Sequence, residues 1–493
     1  MKKIIFSILF SISMLFAQSE ASGLVDSVYW VDMHNGNDSN NGTSAATAFK
    51  TIHKVLATNT YLSSEVVTTT IKVMPSVVAG SPNGYYDFGD SELYLATSND
   101  FELIGVAGPD STIFDAESKN RHMSLYYGQS NKSIIQGITF RNGKSTNWPD
   151  GGSIYISNST NIQFIDCVWK NNSSSYGSDG GGAIHIREKA TPSFTSCVFD
   201  SNFVDVDDNS TSGGAISIQY PQNETDLKSA IKIKRSKFSN NYVKAKYQAT
   251  GGAIHSRRAI EIENSLFVNN GAISNNGGSN NSSFGGAIAL NINWYDNGYK
   301  IADAYIKNST FHGNYIKSLS SSTGDMVGAA IAHAQWDNAG QKTFIFNTII
   351  TGSRALVVND TTDYDTSNLS SNYKKRLIVG EANSGNNKLT MDYSNVQAST
   401  SGSGWGDYVY NVSAAYKDTS NNDYSLSDKS PLIGAGVLAW TEEGIAGPTE
   451  DMLGNARPNP SGSNPDMGAY ENSLGSSSAP LPVSDLVVKR ASS

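Results

Sequence analysis

Charge is scarce in this chain: Lys and Arg number 36 and Asp and Glu 45 among 493 residues, 16% in all, with a net charge of −9. Without a basic run, the sequence offers little electrostatic attraction to nucleic acid or to an anionic membrane. Long apolar runs are missing too. The longest, Ile4 to Phe16, is interrupted by serines and too short to span a bilayer comfortably. Only two cysteines occur, Cys167 and Cys197, and neither lies near the N-terminus where a lipid could be attached. Proline is sparse, at 13. No Gly-His-Gly, nucleophile elbow, zinc-ligand spacing or phosphate-binding glycine loop is found, which speaks against hydrolase and nucleotide chemistry.

What is present begins with an export signature. Lys2 and Lys3 precede the apolar run, and small residues offer cleavage after Ala17 or Ala21, so residues 1–21 are expected to be a signal peptide. Its loss removes two lysines and one glutamate and takes the charge to −10. The mature chain is rich in Gly, Ser, Asn and Thr, a composition that admits disorder. Regularly placed aromatic and β-branched residues argue against it.

The decisive feature is an internal repeat. Gly-Gly-Ala-Ile starts at Gly181, Gly213, Gly251 and Gly285, with near copies at Gly151 and Gly328. Spacings from 30 to 43 residues indicate one structural unit carrying loops of different length. A second motif, [Phe/Ile]-x-x-[Cys/Ser]-x-[Phe/Trp]-x-x-Asn, alternates with the first and ends at Asn172, Asn202, Asn241, Asn270 and Asn314. Stretches such as Ile184-His185-Ile186-Arg187 alternate in polarity with a period of two. One coil cannot bury its apolar face alone, but coils stacked at ~4.8 Å pair their strands in parallel and align equivalent residues in ladders.

The expected fold is therefore an all-β, right-handed parallel β-helix solenoid, the hand following from the crossover rule. A short N-terminal capping helix is expected after Thr47, a candidate N-cap, from the spacing of Phe49, Ile52, Val55 and Leu56. Residues 22–143 should form the cap and first coils, 144–355 the repeat coils, 356–472 the C-terminal coils and a terminal region, and 473–493 a flexible tail. Cys167 and Cys197 each fall sixteen residues after their Gly-Gly start, so they should stack in adjacent coils. Both a disulfide and a pair of reduced thiols fit that placement.

Three resemblances accompany these patterns. The alternating Gly-Gly-Ala-Ile and Phe-x-x-Asn motifs over residues 151–331 resemble the repeats of chlamydial polymorphic outer-membrane proteins, which are surface-exposed β-helices. Tyr29-Trp30-Val31-Asp32, Gly36-Asn37-Asp38, Asn41-Gly42-Thr43 and Phe49-Lys50-Thr51-Ile52 resemble the N-terminal cap of pectate-lyase-like β-helix proteins. Tyr424-Ser425-Leu426, Lys429 to Ile433, Asp451 to Gly454 with Arg457, and Asp466 to Glu471 are similar to bacterial choice-of-anchor Q proteins. Gly434 stands where that family usually has an aspartate. The resemblances imply an extracellular or bacterial cell-surface location.

Candidate site residues lie on the outward side of the Gly-Gly-Ala-Ile strands. Tyr155, His185, Arg187, His255 and Arg257 are expected on a flat face where cations and an aromatic grip an acidic glycan; the plainer alternative is a solvated surface. Trp294 and Trp336 head paired insertions suited to sugar stacking or to simple tight turns. Asp205, Asp207 and Asp208 crowd a loop that could hold calcium, although no EF-hand or Gly/Asp nonapeptide spacing supports it. Two functions follow as expectations: a secreted or cell-surface adhesion or glycan-binding protein, or a pectate-lyase-like polysaccharide lyase acting by β-elimination. The expected partner in both is a polysaccharide or cell-surface glycan, with no nucleic acid and no membrane span.

Overall fold

The alternation of inward apolar and outward polar residues is realised coil after coil. The computed structural model describes residues 25–57, 66–79, 81–89, 91–95, 99–126, 128–158, 160–177, 179–220, 226–227, 229–275, 282–292, 300–301, 303–319, 326–335, 342–357, 378–382, 389–397 and 405–476. One coil shows the plan. Ile184–Ile186 belongs to sheet 1, Ser193–Thr195 to sheet 2, Val198–Asp200 to sheet 3, Phe203–Val206 to sheet 4 and Thr211–Ser212 to sheet 5. The chain then re-enters sheet 1 at Ile216–Ile218, one coil further on. Among the described residues the five sheets hold nine, eleven, eleven, seven and four strands, and every ladder in them is parallel. This is a parallel β-helix.

The corners are as regular as the strands. From residue 134 onward the corner between sheets 2 and 3 turns on one left-handed residue, such as Arg235, Asn264, Asn308 and Asn347. Between sheets 3 and 4 another left-handed residue, such as Asn171, Asn240 or Asn269, makes the turn. Asn tolerates this conformation because its short amide bonds locally. The residue after each corner points inward. After the first corner it is Cys167, Cys197, Ser236, Ser265 and Ser309, all buried. After the second it is the repeated Asn.

Those asparagines form a continuous internal ladder. Asn241 Nδ2 donates to Phe199 O (2.9 Å) and to Asn270 Oδ1 (2.9 Å), while Asn241 Oδ1 accepts from Asn202 N and Asn202 Nδ2, both at 3.0 Å. The same four bonds recur at neighbouring coils. Beside them Trp169, Phe199, Phe238, Phe267 and Phe311 stack with centroids 4.6–4.8 Å apart and nearly parallel rings. Cys167 and Cys197 sit in adjacent coils as free thiols, each donating weakly to carbonyl oxygens. Reduced thiols and serine hydroxyls thus share one small-residue column.

The N-terminal cap holds a six-residue helix, Ile52–Ala57, with Ile52 and Val55 buried on the core. Its start differs from the sequence expectation. Thr51 Oγ1 accepts from Lys54 N (3.2 Å), whereas Thr47 ends a preceding 3-10 turn capped by Ser44. Asp38 links the two pieces, because its Oδ1 accepts from Lys50 N and Thr51 N.

After the last coil strand, Val409–Tyr410, the chain leaves the helical path. Two small antiparallel hairpins follow, Tyr416–Asp418 with Asp423–Leu426 and Ala439–Trp440 with Ile445–Ala446. They lie along the side of the solenoid, over the corner between sheets 2 and 3. Asn264 Nδ2 donates to Glu450 O (2.7 Å), Arg235 pairs with Glu450 (2.9 Å), and Asn347 exchanges bonds with Val437 (2.7 and 2.9 Å). Tyr424 covers Leu266 and Val268, and Trp440 with Ile445 covers Phe344 and Phe346. Inside this region the buried Arg457 donates to Asp466 O and Gly468 O, both at 3.0 Å, and faces Glu471 at 3.2 Å. Gly434 takes φ +63° and donates its N–H to Asp466 Oδ1 (2.8 Å).

Candidate functional site

The outward column of sheet 1 is in the expected register. Tyr94, Ser124, Tyr155, His185, Ser217, His255, Ala289 and Ala332 follow one another coil by coil. Its exposure is not as expected. Tyr155 is 3% exposed and His185 and His255 1% each, so the open cationic face read from the sequence is a covered one. The reason lies in the glycine corners. Before each strand the chain folds back across it, and the first glycine lies directly on the strand backbone. A Cβ on Gly251 would sit 2.2 Å from Ile254 O and 2.7 Å from His255 N, and its φ of +70° suits glycine. Sheet 5 continues this roof, with Phe284 and Val327 packed on Ala289 and Ala332.

Under the roof the histidines carry no charge. Burial drives His185 down to about 4 and His255 well below its usual range. His185 Nδ1 lies 3.0 Å from Gly180 O, while both ring nitrogens of His255 lack a hydrogen-bond partner. Arg187 and Arg257 remain half-buried, with their guanidinium groups over Trp148 (5.8 Å) and Tyr220 (5.5 Å). Ser217 is also structural. It is fully buried, and its hydroxyl bonds the carbonyl of Asp179 and faces Ser212 at 3.2 Å.

Toward the earlier coils a strip of aromatic rings runs out from under this cover to solvent. Tyr94 and Tyr126 have centroids 5.4 Å apart, Tyr126 and Tyr155 5.0 Å, and Tyr155 and His185 5.7 Å. Trp148 approaches Tyr155 at 6.4 Å. Tyr94 is 53% and Trp148 57% exposed, Tyr126 is half-buried and Tyr155 is buried, so the strip is open at its two ends and closed at Tyr155. Arg121 anchors its floor. It pairs with Glu92 at 3.1 Å and donates to Pro149 O (2.9 Å), which fixes the loop bearing Trp148. The hydroxyl of Ser124 holds the other oxygen of Glu92.

Asp150 is the acid of this region closest to neutrality, pushed up to about 7 by burial. Ser174 Oγ donates to its Oδ1 (2.7 Å) and Gly180 N to its Oδ2 (3.2 Å), and the residue is 1% exposed. Both oxygens therefore serve the glycine corner, and neither faces a surface-bound molecule as a base must. The strip offers π faces, hydroxyls, a guanidinium and a carboxylate. Those groups suit recognition of rings that have an apolar face and a hydroxylated rim.

The remaining candidates do not join it. Asp205 takes both its bonds from Lys244 Nζ (3.0 and 3.1 Å), Asp207 is exposed with Lys244 Nζ 3.9 Å from its Oδ1, and Asp208 is exposed. The three acids therefore do not converge as calcium ligands. Among the described residues no group of three or more His, Cys, Asp or Glu is gathered closely enough to hold a metal. Trp294 and Trp336 lie outside the described residues. Sequence reasoning missed Tyr94, Tyr126, Trp148 and Arg121. The signal was there for the first: Leu93-Tyr94-Leu95 repeats the alternation of Ile154-Tyr155-Ile156, but without the Gly-Gly-Ala-Ile that marks later coils.

No family model matches this sequence, and none of the curated proteins is similar to it. No helix among the described residues is long and apolar enough to cross a membrane.

Proposed function

We propose that this chain is a secreted or cell-surface glycan-binding protein that holds a sugar chain along the rings of Tyr94, Tyr126 and Trp148, with the buried Tyr155 backing them. The observation that carries the reading is the strip itself: tyrosines 5.0–5.4 Å apart across successive coils, open at both ends. Each coil advances the surface by ~4.8 Å, close to the length of one ring in an extended polysaccharide, so a chain running along the solenoid meets one coil per sugar. Aromatic faces contribute stacking, and Arg121 with Glu92 presents polar groups to hydroxyls at the edge. The export signature and the likeness of the repeats to surface-exposed β-helices support an extracellular setting. Enclosure of Asp150 favours binding over β-elimination.

The test is a glycan array on the mature protein, followed by titration of the best ligand. Trp148→Ala and Tyr94→Ala should each weaken binding by about tenfold, the loss of one stacking contact, with the melting temperature nearly unchanged because both residues are exposed. Unaltered affinity in both variants would refute the strip as the site. Formation of unsaturated uronate ends, seen as rising ultraviolet absorbance, would replace binding by lyase chemistry.

A further inference from the structure

The outward face of sheet 4 carries a second aromatic column that neither the strip nor the fold requires. Its register runs Lys144, Ser173, Phe203, Tyr242, Gly271, Tyr315, Arg354. Phe203 and Tyr242 stack at 5.1 Å with rings 6° from parallel. Gly271 interrupts the column, and the ring of Tyr315 occupies the vacant space. A Cβ on Gly271 would lie 2.2 Å from Tyr315 Cζ and 2.5 Å from its Oη. Tyr315 is therefore laid down over the neighbouring coil instead of standing upright. Gly271 does not need its glycine for backbone reasons, since its φ is not in the left-handed region. What its lack of a side chain provides is a seat for that ring.

The column is bordered by cations. Lys317 lies beside Tyr315 on the same strand, and Arg354 follows it in register and is exposed. Neither has an ion-pair partner among the described residues, whereas the acids at the other end of this face, Asp205 and Asp207, both lie by Lys244, at 3.0 and 3.9 Å. A flat row of rings ending in unpaired positive charge complements a chain of sugar rings bearing carboxylates.

We propose that the Phe203–Tyr242–Tyr315 face is a second carbohydrate site, selective for acidic polysaccharides such as polyuronates. The inference shares with the preceding reading only the premise that this chain meets glycans, and it concerns a different sheet. Sugar rings stack on the three aromatic residues, and Lys317 and Arg354 bind carboxylates at the C-terminal end of the row.

The experiment titrates the full mature protein with polygalacturonate and with its methyl-esterified, uncharged form. Tyr315→Ala and the double variant Lys317→Gln/Arg354→Gln should each lower polygalacturonate affinity about tenfold or more, and added salt should weaken it in the wild type. Gly271→Val should do the same by displacing the ring. The esterified polymer should bind more weakly than polygalacturonate, and Trp148→Ala should leave polygalacturonate binding intact. The charge variant alters the exposed Arg354 and the half-buried Lys317, neither of them in the core, and keeps the test open should Tyr315→Ala fold poorly. The proposal is overturned if polygalacturonate does not bind, if the variants of this face bind it unchanged, or if Trp148→Ala alone abolishes binding. That last outcome leaves the strip standing, and loss in the sheet 4 variants alone leaves this face standing.

Discussion

Replacing Asn241 with alanine probes the internal ladder at its centre. The side chain is fully buried, and its removal strips Asn202 N and one hydrogen of Asn202 Nδ2 of their acceptor. Phe199 O and Asn270 Oδ1 each lose a donor, although Asn270 Oδ1 keeps the backbone N–H of Asn241 at 3.1 Å. Two stranded buried N–H groups at roughly 1–3 kcal/mol each, offset where water enters the vacated space, place the cost at about 3–4 kcal/mol. The neighbouring Asn240 makes a control. Its side chain is exposed and donates once, to Asp200 Oδ1 at 3.0 Å, so Asn240→Ala should cost about 1 kcal/mol or less apart from its left-handed backbone. The assay is urea unfolding followed by circular dichroism, with amide exchange at coils 199–202 and 238–241 to detect local opening. Because Asn202 and Asn241 share two bonds, the Asn202→Ala/Asn241→Ala pair should cost at least about 1 kcal/mol less than the sum of the single changes. Strict additivity, or a loss for Asn241→Ala no larger than for Asn240→Ala, would refute the cooperative ladder.

Two further outcomes follow from buried titratable groups. Burial pushes the Cys167 thiol up to about 12 and Cys197 well above its usual range, so both should resist alkylation in the native protein and react once it is unfolded; an intact mass lower by two hydrogens would show a disulfide instead. Asp150 remains protonated in the fold up to about pH 7, whereas the unfolded chain releases that proton near 3.8. The folded state thus holds the extra proton through this window, and its stability falls as pH rises across it. Asp150→Asn should therefore gain stability relative to the wild type from pH 4 to 7 and change little above, as measured by urea midpoints at each pH; a difference independent of pH would refute the assignment.

The solenoid was legible because its constraints recur. Five successive coils place a small inward residue after one corner and an Asn after the next, so the five copies of the motif name the stacked columns directly. Cys167 and Cys197 fell in adjacent coils for the same reason, and the thiol state was then decided by a column that accepts any small side chain. The covered state of His185 and His255 was not legible. The segments that roof them vary in length and share no pattern beyond the Gly-Gly corner, so a strand that alternates like an exposed one carries its polar residues under a second layer. The aromatic strip was obscured differently. Tyr94, Tyr126 and Trp148 come from less regular early coils and a loop, and only their position in space aligns them. Gly271 shows a further limit: in the sequence it is a weak strand residue, and its meaning depends on Tyr315, forty-four residues later.

The lateral region fastened at Arg235, Asn264, Asn308 and Asn347 changes how the stack can fail. A column of coils joined only to its neighbours peels from an end, one rung at a time, each step small. A strap tied to four successive coils makes those rungs part together, because none can leave without breaking its tie to the same strap. Pulled along its length, such a molecule resists as a block at its C-terminal end and frays from the other. A filament-like protein built this way bears load best when tethered through the strapped end, with its aromatic strip held away from the anchor point.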